Sequence, residues 1–284
     1  MNSLASACST IENAAFAPAM LEKWHGLIHL LQSFSSAAVA YSGGVDSAFL
    51  AYVTTLVLGQ KCKAFTIQSS IETEDQIHRA VDFASTHGIM LRILAFDPLQ
   101  IDEIRTNPIN RCYYCKKQIL TMIREEANQE GIETILEGQN RDDEGDYRPG
   151  RLAVTETGTF SPLAQNGITK SEIRLFARTL GLSIWDQPAS PCLATRFPYG
   201  SHLTPEGLKR VAQAEAYLQK MGFSVVRVRC HSDLAKIEIL PGSINRLLDL
   251  REEITSNFRK IGFHQIAVDL QGYRMGSLNE GMSK

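Results

Sequence analysis

Two groups of residues in this chain have side-chain types and spacings that do chemistry. Ser42-Gly43-Gly44-Val45-Asp46-Ser47 follows the apolar run 37–41 and opens a segment with helical character. A strand, a Gly-Gly turn and a helix start together make an anion site. The glycines let backbone N–H groups approach phosphate oxygens, and the helix dipole adds about half a positive charge at the first turn. The spacing of the Walker A loop, Gly-x-x-x-x-Gly-Lys-Ser/Thr, is absent. The second group is Cys112-Tyr113-Tyr114-Cys115, followed by Lys116 and Lys117. In a turn leading into a helix both sulfurs can point at one atom, and the lysines favour the thiolate form. Spacing alone leaves a redox pair, a zinc site, an iron–sulfur cluster or no joint role open. Zinc normally takes four ligands, and no second CxxC follows. A cluster needs a third cysteine, and Cys192 is the candidate; three cysteines leave one iron of a cubane open for a substrate or an added sulfide.

Other residues join these groups. Asp142, Asp143, Glu144 and Asp146 form an acidic loop after the apolar stretch 133–137. Carboxylates there can bind Mg²⁺ or orient a nucleotide, with Asp143 and Asp146 leading, or can simply be solvated. Arg148 is placed to contact phosphate or to pair with that loop. Asp46 can cap its own helix, lie at a nucleotide, or both. Val226, Val228 and Cys230 alternate with Arg227, Arg229 and His231, so one strand face is apolar and the other cationic. Two arginines on one face make a phosphate fork or an exposed charged surface. Glu215 falls inside the apolar stripe formed by Leu208, Val211, Ala212 and Leu218, a position that calls for a partner, a cation or an interface. Thr195 and Arg196 flank Cys192 and are placed to steady a phosphate or carboxylate.

The elements that must hold these groups follow from periodicity. Apolar segments near 37–41, 63–67, 90–95 and 133–137 read as buried parallel strands, with helices at about 47–58, 73–87, 115–129 and 169–180. Strand–helix alternation predicts an α/β, doubly wound parallel sheet, with ligands beyond the carboxyl ends of its strands. After Gly200 the rhythm changes to a helix from Thr204-Pro205 to about Met221, strands near 225–230 and 236–240, a helix near 243–260 and a strand near 265–270. This gives a first domain over 1–202 and a smaller α+β domain over 203–284 for substrate binding or oligomerisation. A net charge of −2 provides no bulk basic field for nucleic acid. No apolar run approaches the ~18 residues of a membrane span. The first nineteen residues hold no Lys or Arg, so no secretory signal is expected and the expected location is cytoplasmic.

In this order SGGVDS, CYYCKK, DDEGDYRPG (142–150), PCLATRFPYG (191–200) and Arg227-Val228-Arg229 span nearly the whole chain. SGGVDS resembles the pyrophosphate loop of the PP-loop ATP pyrophosphatases. The full set resembles the LarE family, the ATP-dependent sulfur transferases of nickel-pincer nucleotide biosynthesis. That resemblance implies a substrate, pyridinium-3,5-biscarboxylic acid mononucleotide, whose carboxylate is adenylated by ATP with release of pyrophosphate. Sulfur then displaces AMP to leave a thiocarboxylate. One branch of the family sacrifices a cysteine at the position where this chain has Pro191. The other uses three cysteines to hold a [4Fe–4S] cluster, and Cys112, Cys115 and Cys192 match that branch. The resemblance further implies ATP and Mg²⁺, a metal-binding role for Glu215, substrate contacts from Arg227 and Arg229, and a homo-oligomer. The rivals are a tRNA 2-thiolation enzyme and a non-catalytic nucleotide-binding or iron–sulfur partner protein.

Overall fold

The computed structural model describes residues 3–145, 150–188, 190–274 and 276–279. The chain divides into two compact units: residues 1–69, 74–96 and 110–190 form the first, and residues 70–73, 97–109 and 191–284 the second.

The first unit is an α/β domain built on a parallel sheet. Its strands are β1 (Ala37–Ala40), β2 (Cys62–Gln68), β3 (Leu91–Ala95) and β4 (Ile135–Glu137), in the spatial order β3-β2-β1-β4. All four strands expected from the sequence are present. Successive residues of a strand point to opposite faces, and both faces of β1 are covered. Ala37 and Val39 pack with Trp24, Phe49 and Phe176, which lie on helices Pro18–Gln32, Val45–Leu58 and Lys170–Thr179. Ala38 packs with Leu120, Ile123 and Ala127 of helix Arg111–Gln129. The Trp24, Phe49 and Phe176 rings lie 5.5–6.5 Å apart, and Phe49 is stacked on Phe176. Small Ala side chains in β1 let these aromatic and aliphatic layers close on the sheet from both sides.

The strand order reverses at β1. From β1 the chain moves outward through β2 to β3 and then returns to place β4 on the other side. That reversal is the topological switch point, and the loops leaving β1 and β4 diverge there. The loop after β1 is 42–47, and the loop after β4 holds Asp142 and Asp143. On its far side β4 meets Phe160 in an isolated bridge.

Helix Lys170–Thr179 has the capping box its sequence predicts, with Thr169 accepting from Glu172 N–H and Glu172 accepting from Thr169 N–H. Helix Arg111–Gln129 starts about four residues before the expected point, because nothing between Arg111 and Gln129 is a Gly or Pro. Cys112 and Cys115 therefore lie within its first turns instead of in a preceding turn.

The second unit carries helix Pro205–Lys220, capped by Thr204, and a three-stranded sheet of β5 (Val226–His231), β6 (Leu234–Ile239) and β7 (Gln265–Val268) in the order β5-β6-β7. The expected helix at 243–260 is two helices, Ile244–Asp249 and Arg251–Ile261. Glu252 and Glu253 in the first turn of the second helix favour a fresh N-terminus there. Segments 70–73 and 97–109 also belong to this unit. Asn107, buried at a positive φ of 52°, donates to the carbonyls of Phe197 (3.3 Å) and Pro198 (2.8 Å), and its own carbonyl accepts from Gly200 N–H. Among the described residues no helix is long and apolar enough to cross a membrane.

Candidate functional site

In the first unit the 42–47 loop lies at the switch point. Gly43 adopts φ +72°, a conformation an L side chain rarely takes, and a Cβ there would meet Ala80 Cβ at 2.8 Å. Ser47 braces the loop from inside: its Oγ accepts Ser42 N–H at 3.1 Å and donates to the Gly44 carbonyl at 3.1 Å. Gly44 is the N-cap of helix Val45–Leu58, and no side chain caps that end. The first-turn N–H groups are left as the donors an anion would take.

Gly138, just after β4, presses against the same helix start. A Cβ on it would lie 2.8 Å from Ser47 N, 3.0 Å from Ser47 Cα and 3.1 Å from Asp46 C, all backbone atoms that cannot swing aside. Gly138→Ala is therefore expected to push the two loops apart and weaken the binding of any phosphate-bearing ligand on the 42–47 loop, tested with inorganic pyrophosphate, by about tenfold or more, the equivalent of a typical overpacking cost. Calorimetric titration checks this, with Gly242→Ala as control because a Cβ there meets nothing within 4 Å.

Asp46 sits in the first turn of the loop's helix, and its Oδ2 accepts from Lys170 Nζ at 2.6 Å. Burial raises the Asp46 pKa above the usual carboxylate range, Lys170 counteracts that, and nearby Asp143 pushes it further up. Asp46 and Asp143 are near enough to repel, and two neighbouring carboxylates could serve a hard divalent cation. Asp143 is buried, and its Oδ2 accepts from Asn140 N–H at 3.1 Å. Asp142 instead accepts from Lys170 N–H at 2.9 Å, tying the loop to the start of helix Lys170–Thr179. Beside this loop a polar cavity of about 250 Å³ is lined by Asn140, Asp143, Arg151 and Ser161, among others. Asp146 and Arg148 lie outside the described residues.

Cys112 and Cys115 are i and i+3 on helix Arg111–Gln129, hence neighbours on one face. Cys112 is exposed and Cys115 half-buried. Arg111, itself buried, approaches Cys112 Sγ with Nη2 at 3.9 Å. The two lysines expected to hold the thiolates are occupied elsewhere. Lys116 Nζ donates to buried Glu137 Oε2 at 2.7 Å, and Lys117 Nζ donates to Glu156 Oε2 at 2.6 Å. Opposite charges lay in reach, and CYYCKK alone gave no sign of them. Glu137 ends β4, and its Oε1 accepts from Gln139 N–H and Ser161 Oγ.

The second unit carries Cys192, half-buried, at the N-cap of a short 3-10 turn, Leu193–Arg196. Arg196 organises that turn. Its guanidinium donates to the carbonyls of Pro191 (2.8 Å) and Cys192 (3.1 Å) and to Thr195 Oγ1 (2.9 Å). On its other edge it grips Glu215 with two parallel bonds of 2.9 Å. Glu215 Oε1 also accepts Val228 N–H at 2.9 Å. The carboxylate inside the apolar stripe is thus satisfied by an ion pair and a backbone donor.

The two strand arginines differ. Arg229 is bound to buried Glu238 through Nε (3.0 Å) and Nη2 (2.9 Å), and to the Thr195 carbonyl through Nη1 (2.7 Å). Arg227 lies over the Tyr273 ring, 5.4 Å from its centroid, and burial together with neighbouring Arg196 lowers its pKa. The cationic strand face read from the sequence is therefore graded, with Arg229 buried, Arg227 half-buried and His231 exposed.

Two residues the sequence did not single out stand close to these groups. Lys170 reaches Asp46, as described. Glu72 belongs to segment 70–73, where the Ile71 carbonyl accepts Leu193 N–H at 2.7 Å beside Cys192. Burial pushes the Glu72 carboxyl up to about 7. The signal for Lys170 was its place: a cation at the first position of a helix opposes the dipole and needs an anion nearby. Among the described residues no group of three or more His, Cys, Asp or Glu side chains is gathered for a metal ion.

A scan against protein-family models finds no match. Comparison with individual proteins finds relatives along nearly the whole chain. An uncharacterized protein of Synechocystis sp. is 39% identical over 93% of this chain and 100% of its own length. The pyridinium-3,5-bisthiocarboxylic acid mononucleotide synthase of Lactiplantibacillus plantarum is 33% identical over 91% of this chain and 94% of its own. An uncharacterized protein of Methanocaldococcus jannaschii is 30% identical over 83% of this chain and 90% of its own.

Proposed function

The chain belongs to the LarE family, and from that premise we propose that it is an ATP-dependent sulfurtransferase making a thiocarboxylate on pyridinium-3,5-biscarboxylic acid mononucleotide. The observation that carries this reading is the full-length similarity to a synthase of the bisthiocarboxylic mononucleotide. Support from the fold is the phosphate loop at the switch point of a parallel sheet, where this class of sheet binds its ligands.

In the proposed reaction the triphosphate of ATP lies on the 42–47 loop. A substrate carboxylate oxygen attacks the α-phosphorus, the α–β phosphoanhydride bond breaks, and pyrophosphate leaves with the electron pair. A sulfur nucleophile then adds to the acyl carbon, and AMP departs. Asp143, with Asp146, would hold Mg²⁺; Asp46 lies at the nucleotide. Cys112, Cys115 and Cys192 would hold a [4Fe–4S] cluster, whose chemistry when bound would be to carry an added sulfide as the sulfur nucleophile. Two exposed or half-buried thiols on one helix face, beside an arginine, are a soft donor set that suits such a cluster.

Arg227, with Arg148 and Thr195, would take the substrate phosphate, while Arg229 and Arg196 hold the strand and the Cys192 turn that present them. A metal at Glu215 would first have to displace Arg196. The second unit would bind substrate or join copies in a homo-oligomer, and the protein would work in the cytoplasm.

Pyrophosphate release from ATP tests the reading. Release is expected with the dicarboxylate mononucleotide and not with tRNA; the reverse pattern establishes the tRNA-thiolation alternative, and release with neither removes the enzymatic reading. Iron, acid-labile sulfide and visible absorbance on protein purified without oxygen test the cluster. A colourless, iron-free and fully active protein overturns it.

A further inference from the structure

The turn that carries Cys192 is held at both ends by chain segments remote from it in sequence. At its start the Ile71 carbonyl accepts Leu193 N–H at 2.7 Å. At its exit the backbone of 105–107 lies along 197–203. Gly200 N–H donates to the Asn107 carbonyl at 2.9 Å, and Leu203 N–H donates to the Arg105 carbonyl at 2.8 Å. The Asn107 side-chain amide donates in turn to the Phe197 and Pro198 carbonyls, at 3.3 and 2.8 Å. Resting on the proposed role of Cys192, we infer that Asn107 is the positioning residue for that thiol, fixing the exit of its turn so that the sulfur is presented in one place.

The residue type argues for this role. Asn107 stands just past the short helix Asp102–Arg105, at φ 52°, the left-handed conformation that commonly closes a helix. Glycine takes that conformation without steric cost and would serve the cap as well. It has no amide to offer, however. Aspartate tolerates the same conformation, but its carboxylate would face two carbonyl oxygens with no donor between them. Of the three, only asparagine keeps the backbone and supplies two N–H groups. The side chain is wholly buried, where a hydrogen bond is stronger than in water and an unmade one is costly.

The path from this amide to the sulfur is short. Phe197, whose carbonyl takes one N–H, follows Arg196, and the Arg196 guanidinium holds the Pro191 and Cys192 carbonyls. The Phe197 ring lies close against the start of helix Pro205–Lys220, where a Cβ on Gly207 would be 3.2 Å from its Cε1. Phe197 therefore has no room to move toward the helix, and Asn107 keeps it from drawing away. A shift of Phe197 would pass through Arg196 to the Cys192 carbonyl. Asn107 acts through these two residues and touches no reacting atom.

The test uses the full chain, freed of iron with a chelator, as wild type, Asn107→Gly and Asn107→Asp. Alkylation of each thiol by iodoacetamide is followed by peptide mass spectrometry. Cys192 is half-buried and reports opening of the turn, while buried Cys230 in the same unit reports opening of the unit as a whole. Asn107→Gly is expected to speed alkylation of Cys192 by about tenfold, the loss of a buried hydrogen bond, with Cys230 unchanged. Asn107→Asp should do at least as much. Anaerobic titration with ferrous iron and sulfide, read by visible absorbance, should show uptake weakened by about tenfold or more in both variants, the usual effect of losing a group that orients a metal ligand.

An unchanged Cys192 rate in folded Asn107→Gly overturns the inference. An equal rise at Cys192 and Cys230 does so too, since it marks Asn107 as a general brace of the unit. Faster alkylation with iron and sulfide uptake as in wild type also overturns it, because the turn then moves without consequence for the thiol. If Asn107→Asp does not fold, Asn107→Gly decides, since it keeps the helix cap and removes only the amide. If wild type itself takes up no iron, the cluster reading fails while the alkylation rates still judge Asn107.

Discussion

Replacing Cys192 with alanine is expected to reduce thiocarboxylate formation to background while pyrophosphate release continues. Cys112→Ala and Cys115→Ala should do the same. In the proposed reaction activation and sulfur supply are separate: activation would rest on the 42–47 loop, Asp46 and the acidic loop, and none of these contains a thiol. Sulfur supply rests on soft ligands, and an alanine leaves nothing for iron or sulfide to bind. The substitutions should also be gentle on the fold. Cys112 is exposed and Cys115 half-buried on a helix surface, where such changes usually move stability by only about 0.5 kcal/mol. Each variant should therefore bind ATP, melt near wild type and emerge without the visible absorbance of a cluster. Buried Cys62 and Cys230 are the contrast: alanine there costs packing but should leave sulfur transfer in place. Thiocarboxylate is followed by mass spectrometry in single-turnover assays. Full transfer by any one of the three surface variants would sink the three-thiol assignment.

The second large effect concerns Arg196 and Glu215. Arg196→Ala strips two carbonyls, those of Pro191 and Cys192, of a donor and leaves Glu215 charged and buried. Removing one partner of a buried ion pair typically costs about 3–5 kcal/mol. Glu215→Ala should cost a similar amount, because it strands the guanidinium and frees Val228 N–H. The double variant Arg196→Met/Glu215→Met should lose much less than the sum, since an apolar pair removes both charges together. Arg196→Lys should not rescue, because an ammonium cannot make two parallel bonds while holding two carbonyls. Urea unfolding of the four variants measures this. Single-variant losses below about 1 kcal/mol would show the pair to be incidental, a value usual for exposed pairs.

The elements were largely legible because periodicity is local. Four strands, the Thr169–Glu172 cap and the Thr204-Pro205 helix start each rest on residues within a few positions of one another, and all are present, although β3, at the sheet edge, buries only Leu94 where burial was expected throughout. What escaped was pairing at a distance. Alternation along β5 placed Arg227 and Arg229 on one face, but only the register with β6 reveals that Glu238 shares it. Glu215 was recognisable as an anomaly in an apolar stripe, yet its answer lay in Arg196, nineteen positions earlier and outside the helix. The lysines of CYYCKK looked available to the thiols because Glu137 and Glu156 are remote in sequence. Lys170 was hidden by its own cap, since a well-formed helix start already accounted for that stretch.

Asn107 has a consequence for heredity as well as for shape. It belongs to a segment ahead of residue 110, yet it donates to the carbonyls of Phe197 and Pro198, and the Ile71 carbonyl accepts Leu193 N–H. The second unit is consequently not a detachable cassette. A fragment beginning at residue 191 would lack these anchors, and during synthesis they wait, already translated, for a partner made about ninety residues later. Gene fusion or shuffling that moved residues 191–284 alone would keep Arg196 with the Cys192 turn but lose the Ile71 carbonyl that holds Leu193 beside it. Such a module can be inherited only with the domain through which it is threaded.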